Sequence, residues 1–286
     1  MNPTPLDART AVLAARTLLF VPGDRPDRFA KAAASGADLV VLDLEDAVAP
    51  TAKPAAREAV CEWLASSGRR AMVRINPPGT EWYAADVRAV AAVAQASGGT
   101  PAPAMLPKAQ DPAEVTALVS ALGPSAHVVP LIETALGMHR AVEVCGVPGV
   151  VRPAFGSVDL AADLGIDPDD RGALRHARSA LVLGARAAGA GAPIDGVTTA
   201  VRDEAALLAD CAHGLSLGFT AKLCIHPAQV GPVAAALSPT PEQVRWARSV
   251  VEAAAAGGVA VVDGKLVDGP VVNRARAVLL RAAATA

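Results

Sequence analysis

Two carboxylates, Glu133 and Asp159, sit at the ends of successive short apolar runs of this sequence, one strand-and-helix unit apart. Hard oxygen ligands brought side by side in that way suit Mg²⁺, with water and substrate filling the positions the protein leaves open. The same residue types serve as helix N-caps or as partners of a neighbouring arginine, and spacing alone leaves both roles open. Just before Asp159, Gly156-Ser157-Val158 offers successive backbone N–H groups at the opening of a helix, a place for a substrate carboxylate beside the metal. Arg74 ends another run. Its guanidinium can clamp a carboxylate or stabilise an enolate oxygen, or it can be the buried partner of Asp43 or Glu45, which end the run before it.

The remaining run ends are polar as well: Asp46 follows Glu45, Lys108 follows Pro107, and His226 precedes Pro227. The five histidines show neither HxxH nor HExxH spacing, which argues against zinc, and His226 reads as structural. No GxSxG supports a serine hydrolase. Arg171, Arg175 and Arg178 read as one solvated or subunit-contact helix face.

The elements that must position these groups alternate along the whole chain. Short apolar runs at Thr17–Val21, Leu39–Leu44, Ala71–Asn76, Ala104–Pro107, Val128–Glu133, Val150–Phe155, Ile194–Val197 and Ala221–Ile225 read as strands. Helical stretches fall at Asp27–Ser35, Pro54–Ser66, Trp82–Ala96, Pro112–Leu122, Ala135–Val144, Arg171–Ala188, Glu204–Leu217 and near Pro232. Eight such pairs predict an α/β fold, a closed (β/α)₈ TIM barrel, in which active groups stand at the C-terminal strand ends. An open dinucleotide-binding sheet would carry GxGxxG after its first strand, and none is there. The chain then continues into a helix at Pro241–Ala256, a strand at Val259–Val262, an Asp263-Gly264 turn and a helix at Pro270–Ala283. Residues 1–232 are therefore expected to form the catalytic barrel. Residues 233–286 are expected to form an arm that either caps the barrel bottom or completes an active site in the oligomer.

Composition sets outer bounds. With 286 residues, 52% apolar content and 19% charge, the chain can bury one large core. A net charge of −2 argues against nucleic-acid partners recognised through a broad basic surface. No apolar run approaches the roughly 20 residues of a membrane span, and Met1–Arg16 lacks the pattern of a signal peptide. Cys61, Cys145, Cys211 and Cys224 have no CxxC spacing and read as reduced and mostly buried, so the cytoplasm is the expected compartment.

Several motifs carry a resemblance. Leu19-Phe20-Val21-Pro22-Gly23-Asp24-Arg25-Pro26, Ser35-Gly36-Ala37-Asp38, Leu42-Asp43-Leu44-Glu45-Asp46-Ala47-Val48, Arg74-Ile75-Asn76, Leu106-Pro107-Lys108, Ile132-Glu133-Thr134 and Gly156-Ser157-Val158-Asp159 occur in order over nearly the whole chain. Together they resemble the citrate lyase β-subunit-like group of the HpcH/HpaI aldolase superfamily. The resemblance implies a barrel of the pyruvate/phosphoenolpyruvate type, Mg²⁺ on Glu133 and Asp159, and a substrate-binding Arg74. It also implies a coenzyme A site lined by Phe20, Arg25 and Lys31, and a homotrimer. Asp263-Gly264-Lys265-Leu266-Val267-Asp268-Gly269-Pro270 is similar to the segment that reaches a neighbouring subunit's active site in malyl- and citramalyl-CoA lyases, which makes Asp268 the match of their catalytic aspartate.

The expected reaction is a reversible Claisen-type cleavage of a 3-hydroxyacyl-CoA thioester into an acyl-CoA and a 2-oxo acid, with Arg74, Asp268, Asp43 and Glu45 as the candidate catalytic set. The alternatives are hydrolysis of a malyl-type thioester, aldol cleavage of a free hydroxy-oxo-acid, and a non-catalytic subunit that binds a 2-oxo acid or CoA ester. Citrate lyase β-subunits, for their part, act on an acyl-carrier partner.

Overall fold

The structure, a computed structural model of the chain, describes residues 7–67, 71–97, 101–255 and 260–283. Eight strands follow one another in the first unit: β1 (Thr17–Pro22), β2 (Leu39–Asp43), β3 (Ala71–Arg74), β4 (Ala104–Leu106), β5 (Val128–Ile132), β6 (Ala154–Phe155), β7 (Ile194–Asp195) and β8 (Ala221–Cys224). Each is parallel to the next, and β8 closes on β1 through Thr17↔Lys222, Leu18↔Leu223 and Leu19↔Cys224, so the sheet is the (β/α)₈ barrel expected. Helix α1 (Ala8–Ala14) precedes the first strand. The crossovers carry α2 (Phe29–Ala33), α3 (Lys53–Ser66), α4 (Tyr83–Ser97), α5 (Pro112–Leu122), α6 (Ala135–His139), α7 (Ala141–Cys145), α8 (Ser157–Leu164), α9 (Arg175–Ala187) and α10 (Glu204–Leu217), and α11 (Pro227–Leu237) follows β8.

Every residue of β2 and β5 is buried, as strands covered on both faces require. Leu18, Val41, Met72, Met105, Val129, Ala154, Ile194 and Leu223, one from each strand, belong to a single core cluster, so side chains fill the barrel and only its ends are open to chemistry. Local signals set the helices between. Asp111 caps α5 by accepting from the Ala113 N–H, Pro112 pre-sets its first turn, and Gly123, at φ 98°, ends it.

Four elements depart from the sequence reading. The stretch Ala135–Val144 is two helices, broken at Arg140, whose φ and ψ of −100° and 17° leave the helical region. The sixth run keeps an isolated bridge, Val128↔Val150, and regular pairing only at Ala154–Phe155, because Pro153 has no N–H to give the ladder. Helix α1 has no counterpart in the sequence reading, whereas α8 begins where Gly156-Ser157-Val158 predicts a helix to open. The helix expected from Arg171 starts at Arg175, and Arg178 is buried rather than solvated: its Nε donates to Asp195 at 2.9 Å and its guanidinium lies 4.8 Å from the Phe155 ring centre.

At the N-terminal strand ends, Arg152 is 1% exposed and has no carboxylate partner among the described residues. It donates to the carbonyls of Val12, Leu13 and Ala15 at the end of α1, to those of Ala192 and Pro193 before β7, and to Thr220 Oγ1 before β8. The negative end of the α1 dipole stands in for a counter-ion.

Contacts separate a second unit, Leu237–Ala286. It contains α12 (Pro241–Ala255), an antiparallel pair β9 (Ala260–Val262) and β10 (Lys265–Val267), and α13 (Gly269–Ala283). Asp263 and Gly264 both have positive φ, which suits the two-residue turn of a twisted hairpin. Ala247, Val250, Ala275 and Val278 are its buried centre. The second strand of this hairpin was not expected from the sequence.

Candidate active site

At the C-terminal strand ends, a cavity of about 390 Å³ is bounded by Phe20, Asp43, Arg74, Glu133, Gly156–Asp159, Val197 beyond β7 and Leu223 of β8. Glu133 directly follows β5 and is 1% exposed; Asp159 is in the first turn of α8. Neither acts as the N-cap considered for it, since Thr134 caps α6 and Gly156 precedes α8, and neither pairs with an arginine among the described residues. Glu133 Oε1 accepts the Lys108 backbone N–H at 2.8 Å and lies 3.9 Å from Lys108 Nζ. Among the described residues no hydrogen bond reaches Oε2, which lies so near Gly156 that a Cβ there would collide with the carboxylate. Burial, reinforced by the charges of Glu45 and Asp159, pushes the Glu133 pKa up to about 8.

That arrangement passes a chemical test for a hard divalent cation. A desolvated carboxylate with an unbonded oxygen, close enough to a second carboxylate for their charges to repel, is a donor set that a cation would relieve. Among the described residues no cluster of three or more His, Cys, Asp or Glu gathers as a metal cage, so two protein carboxylates would leave the other positions to water and substrate.

Arg74 is held on the opposite wall. Its Nε and Nη2 donate to the two Asp43 oxygens at 2.7 and 2.6 Å, its Nη1 lies 2.8 Å from Glu45 Oε2, and its guanidinium stacks 4.7 Å from the Phe20 ring centre. Burial opposes the charge, but the carboxylates of Asp43, Glu45 and Asp46 carry the Arg74 pKa above its ordinary value. Asp43 is fully engaged, because its oxygens also accept the N–H groups of Glu45 and Ala47. Both roles weighed for Arg74 are thus compatible: the carboxylates fix it, and the cavity meets what remains of its donor set.

The other candidates are placed less uniformly. Phe20 lines the cavity, whereas Glu45 faces a neighbouring cavity of about 360 Å³. Arg25 and Lys31 lie outside the lining, exposed beyond β1, and Arg25 is paired with Asp27 at 2.8 Å. Gly156 corrects part of the anion-site reading, for its N–H is spent on the Ile132 carbonyl at 3.0 Å; Ser157 and Val158, the first helical residues of α8, are the ones left without intrahelical acceptors. Asp268 belongs to the second unit, is exposed, and accepts the Val271 N–H at 3.1 Å as the cap of α13. Sequence reasoning assigned no role to Lys108 or Asp46. Lys108 was visible as a polar strand end, but its left-handed backbone, φ 50°, and its bonds to two carboxylates were not. His226 is exposed just past β8 and accepts the Ala228 N–H on Nδ1.

The family model described as HpcH/HpaI aldolase/citrate lyase matches residues 16–227. The chain belongs to the HpcH/HpaI aldolase/citrate lyase family. Within it, a citrate lyase subunit beta-like protein of Mycobacterium tuberculosis is 39% identical over 271 residues, covering 92% of this chain and 94% of the relative. A (3S)-malyl-CoA thioesterase of Cereibacter sphaeroides is 38% identical over 281 residues, 95% of each chain. The crystal structure of CitE from M. tuberculosis in complex with magnesium, acetoacetate and coenzyme A superposes with a TM-score of 0.79 at 37% identity, covering 95% of this chain and 99% of that one. The family is one of enzymes, and homologous family structures hold magnesium and coenzyme A. Among the described residues no helix is long and apolar enough to cross a membrane.

Proposed function

We propose that the chain is a Mg²⁺-dependent carbon–carbon lyase that cleaves, and in reverse forms, a 3-hydroxyacyl-CoA thioester such as citryl-, malyl- or citramalyl-CoA, releasing an acyl-CoA and a 2-oxo acid. The observation that carries this reading is the buried Glu133 carboxylate, with one oxygen unbonded, sharing a cavity with Asp159 and the braced Arg74. CitE structures in complex with magnesium and pyruvate, and with magnesium, acetoacetate and coenzyme A, support it.

Glu133 and Asp159 would hold the cation. Bound there, Mg²⁺ supplies Lewis-acid polarisation of the 2-oxo-acid oxygens. Ser157 and Val158 offer their N–H groups to the acid's carboxylate at the α8 start. Arg74, fixed by Asp43 and Glu45, meets the negative charge that grows on the thioester oxygen as the carbon–carbon bond breaks, without having to reorganise. Phe20 walls the thioester end, and Arg25 and Lys31 set two cations beyond β1 for the coenzyme A phosphates. Asp268, from the neighbouring subunit of a homotrimer, takes the proton that the substrate hydroxyl gives up as the carbon–carbon bond breaks and passes it to the acyl carbon, and the reverse direction runs the same transfer backward.

Thioester hydrolysis is a second reading, favoured by the relative named (3S)-malyl-CoA thioesterase. The test is a Mg²⁺-dependent screen over citryl-, malyl-, citramalyl- and methylmalyl-CoA with product identification. Acetyl-CoA or another acyl-CoA plus a 2-oxo acid supports the lyase; free CoA plus an intact hydroxy acid replaces it with the hydrolase. Thermal stabilisation by these thioesters without any turnover would make the chain a binding subunit, one that calls for an acyl-carrier partner. Asp268→Asn keeps the helix cap, since Asn caps as well as Asp, and should still lower turnover about 10²–10³-fold if Asp268 moves the proton.

A further inference from the structure

Five carboxylates crowd the ends of β2, β5 and β6: Asp43, Glu45, Asp46, Glu133 and Asp159. Asp43 is consumed by Arg74 and two backbone N–H groups. Glu45 is the one whose fate is open. It is 4% exposed, and one ammonium joins it to Glu133: Lys108 Nζ lies 2.9 Å from Glu45 Oε1 and 3.9 Å from Glu133 Oε1. Its Oε2 contacts Arg74 Nη1 at 2.8 Å without the geometry of a hydrogen bond, and among the described residues the one side-chain hydrogen bond it accepts, on Oε1, comes from Lys108 Nζ at 2.9 Å.

Lys108 also governs Glu133. A non-glycine residue at φ 50° persists only where its surroundings demand it, and here the unusual turn aims the Lys108 N–H at Glu133 Oε1, leaving Oε2 as the oxygen without a partner. We infer that Lys108 is a positioning residue that keeps the cation site at two carboxylates: its ammonium withholds Glu45, and its backbone N–H turns Glu133 so that a single oxygen is offered. The inference rests on the Mg²⁺ reading above. Its consequence for specificity is that the cation retains the open positions that a chelating 2-oxo acid occupies, which a third carboxylate would take.

Mn²⁺ is the probe, with free ion counted by electron paramagnetic resonance and exchangeable water by proton relaxation, on the full chain. In Lys108→Met, Glu45 keeps its Oε2 contact with Arg74, but its Oε1 loses the ammonium and is free to turn to the cation. Mn²⁺ should bind about tenfold more tightly, the complex should lose about one exchangeable water, and pyruvate should bind the Mn²⁺ complex about tenfold more weakly. Lys108→Arg should restore all three values. Lys108→Gly keeps the N–H and accepts positive φ without strain, so it should match the methionine variant even if that one folds poorly. Wild-type affinity and water count in both Lys108→Gly and Lys108→Met overturn the inference while leaving the metal site standing. A wild-type chain whose Mn²⁺ uptake is absent, or indifferent to Glu133→Gln, overturns the metal reading and this inference with it.

Discussion

Arg152 is buried in the barrel and Arg74 is largely so, its side chain 11% exposed, and their partners differ in kind. Arg74, at the C-terminal end of β3, is gripped by Asp43 and Glu45, which raise its pKa. Arg152, just before β6, has six neutral acceptors and no carboxylate among the described residues; burial pushes its pKa down to about 9, which still leaves it charged at neutral pH. Carboxylates on one side of a guanidinium hold it still and leave donors for a visitor, so the mouth keeps unspent capacity. Carbonyls on every side exhaust the donors, so the floor is a staple joining α1 to the strands. The same side chain serves chemistry at one end and cohesion at the other, according to what is left unbonded.

Substitutions should separate the two ends. Glu133→Gln, which removes the charge from the mouth, should have the largest effect, lowering Mg²⁺-dependent turnover about 10⁴-fold in steady-state assays with the fold intact. Arg74→Met should cost about 10²–10³-fold in kcat, the usual loss for one donor to a developing oxyanion; a change confined to KM would make Arg74 a binding group instead. Arg152→Met should leave kcat of the folded protein unchanged but destabilise it by about 3–5 kcal/mol in chemical denaturation, because several buried carbonyls lose their donor at once. If it lowered kcat without lowering stability, the division of labour would fail.

The smallest effect is a pH slope. Glu133 titrates near 8 in the folded chain against 4.5 ordinarily, so the folded state holds a proton that the unfolded state has already released between those values. Its contribution to stability is therefore complete below about 4.5 and is lost as pH rises through about 8. Metal-free protein should show a lower Tm at pH 8.5 than at pH 6, a difference that shrinks in Glu133→Gln and on adding Mg²⁺. An equal slope in the variant would place the titrating group elsewhere.

The barrel was readable because each strand is a compact apolar run with a polar residue just past its end, and that alternation is a property of consecutive residues. Glu133, Asp159 and Arg74 were readable for the same reason. Which carboxylate spends itself on which cation was not, since Asp43, Arg74, Glu45 and Lys108 meet only when β2, β3 and β4 lie side by side. Arg178 misled because helical spacing shows which residues share a face but not that the face turns inward onto Asp195 and Phe155. The break at Arg140 has no glycine or proline at the position to announce it, and Pro107 marks a turn without revealing that Lys108 takes a left-handed backbone.

The register that joins β8 to β1 ties the beginning of the first unit to its end. A growing chain that has not yet produced Ala221 would expose unpaired edges on both β1 and β7, which invite association with other chains. Loop-closure entropy must be met over nearly the whole unit before those edges are covered, so folding should be slow for the size of the domain and hard to interrupt without aggregation. Resistance to protease and the ability to take up ligand should then arise together, in one step, as the last strand docks.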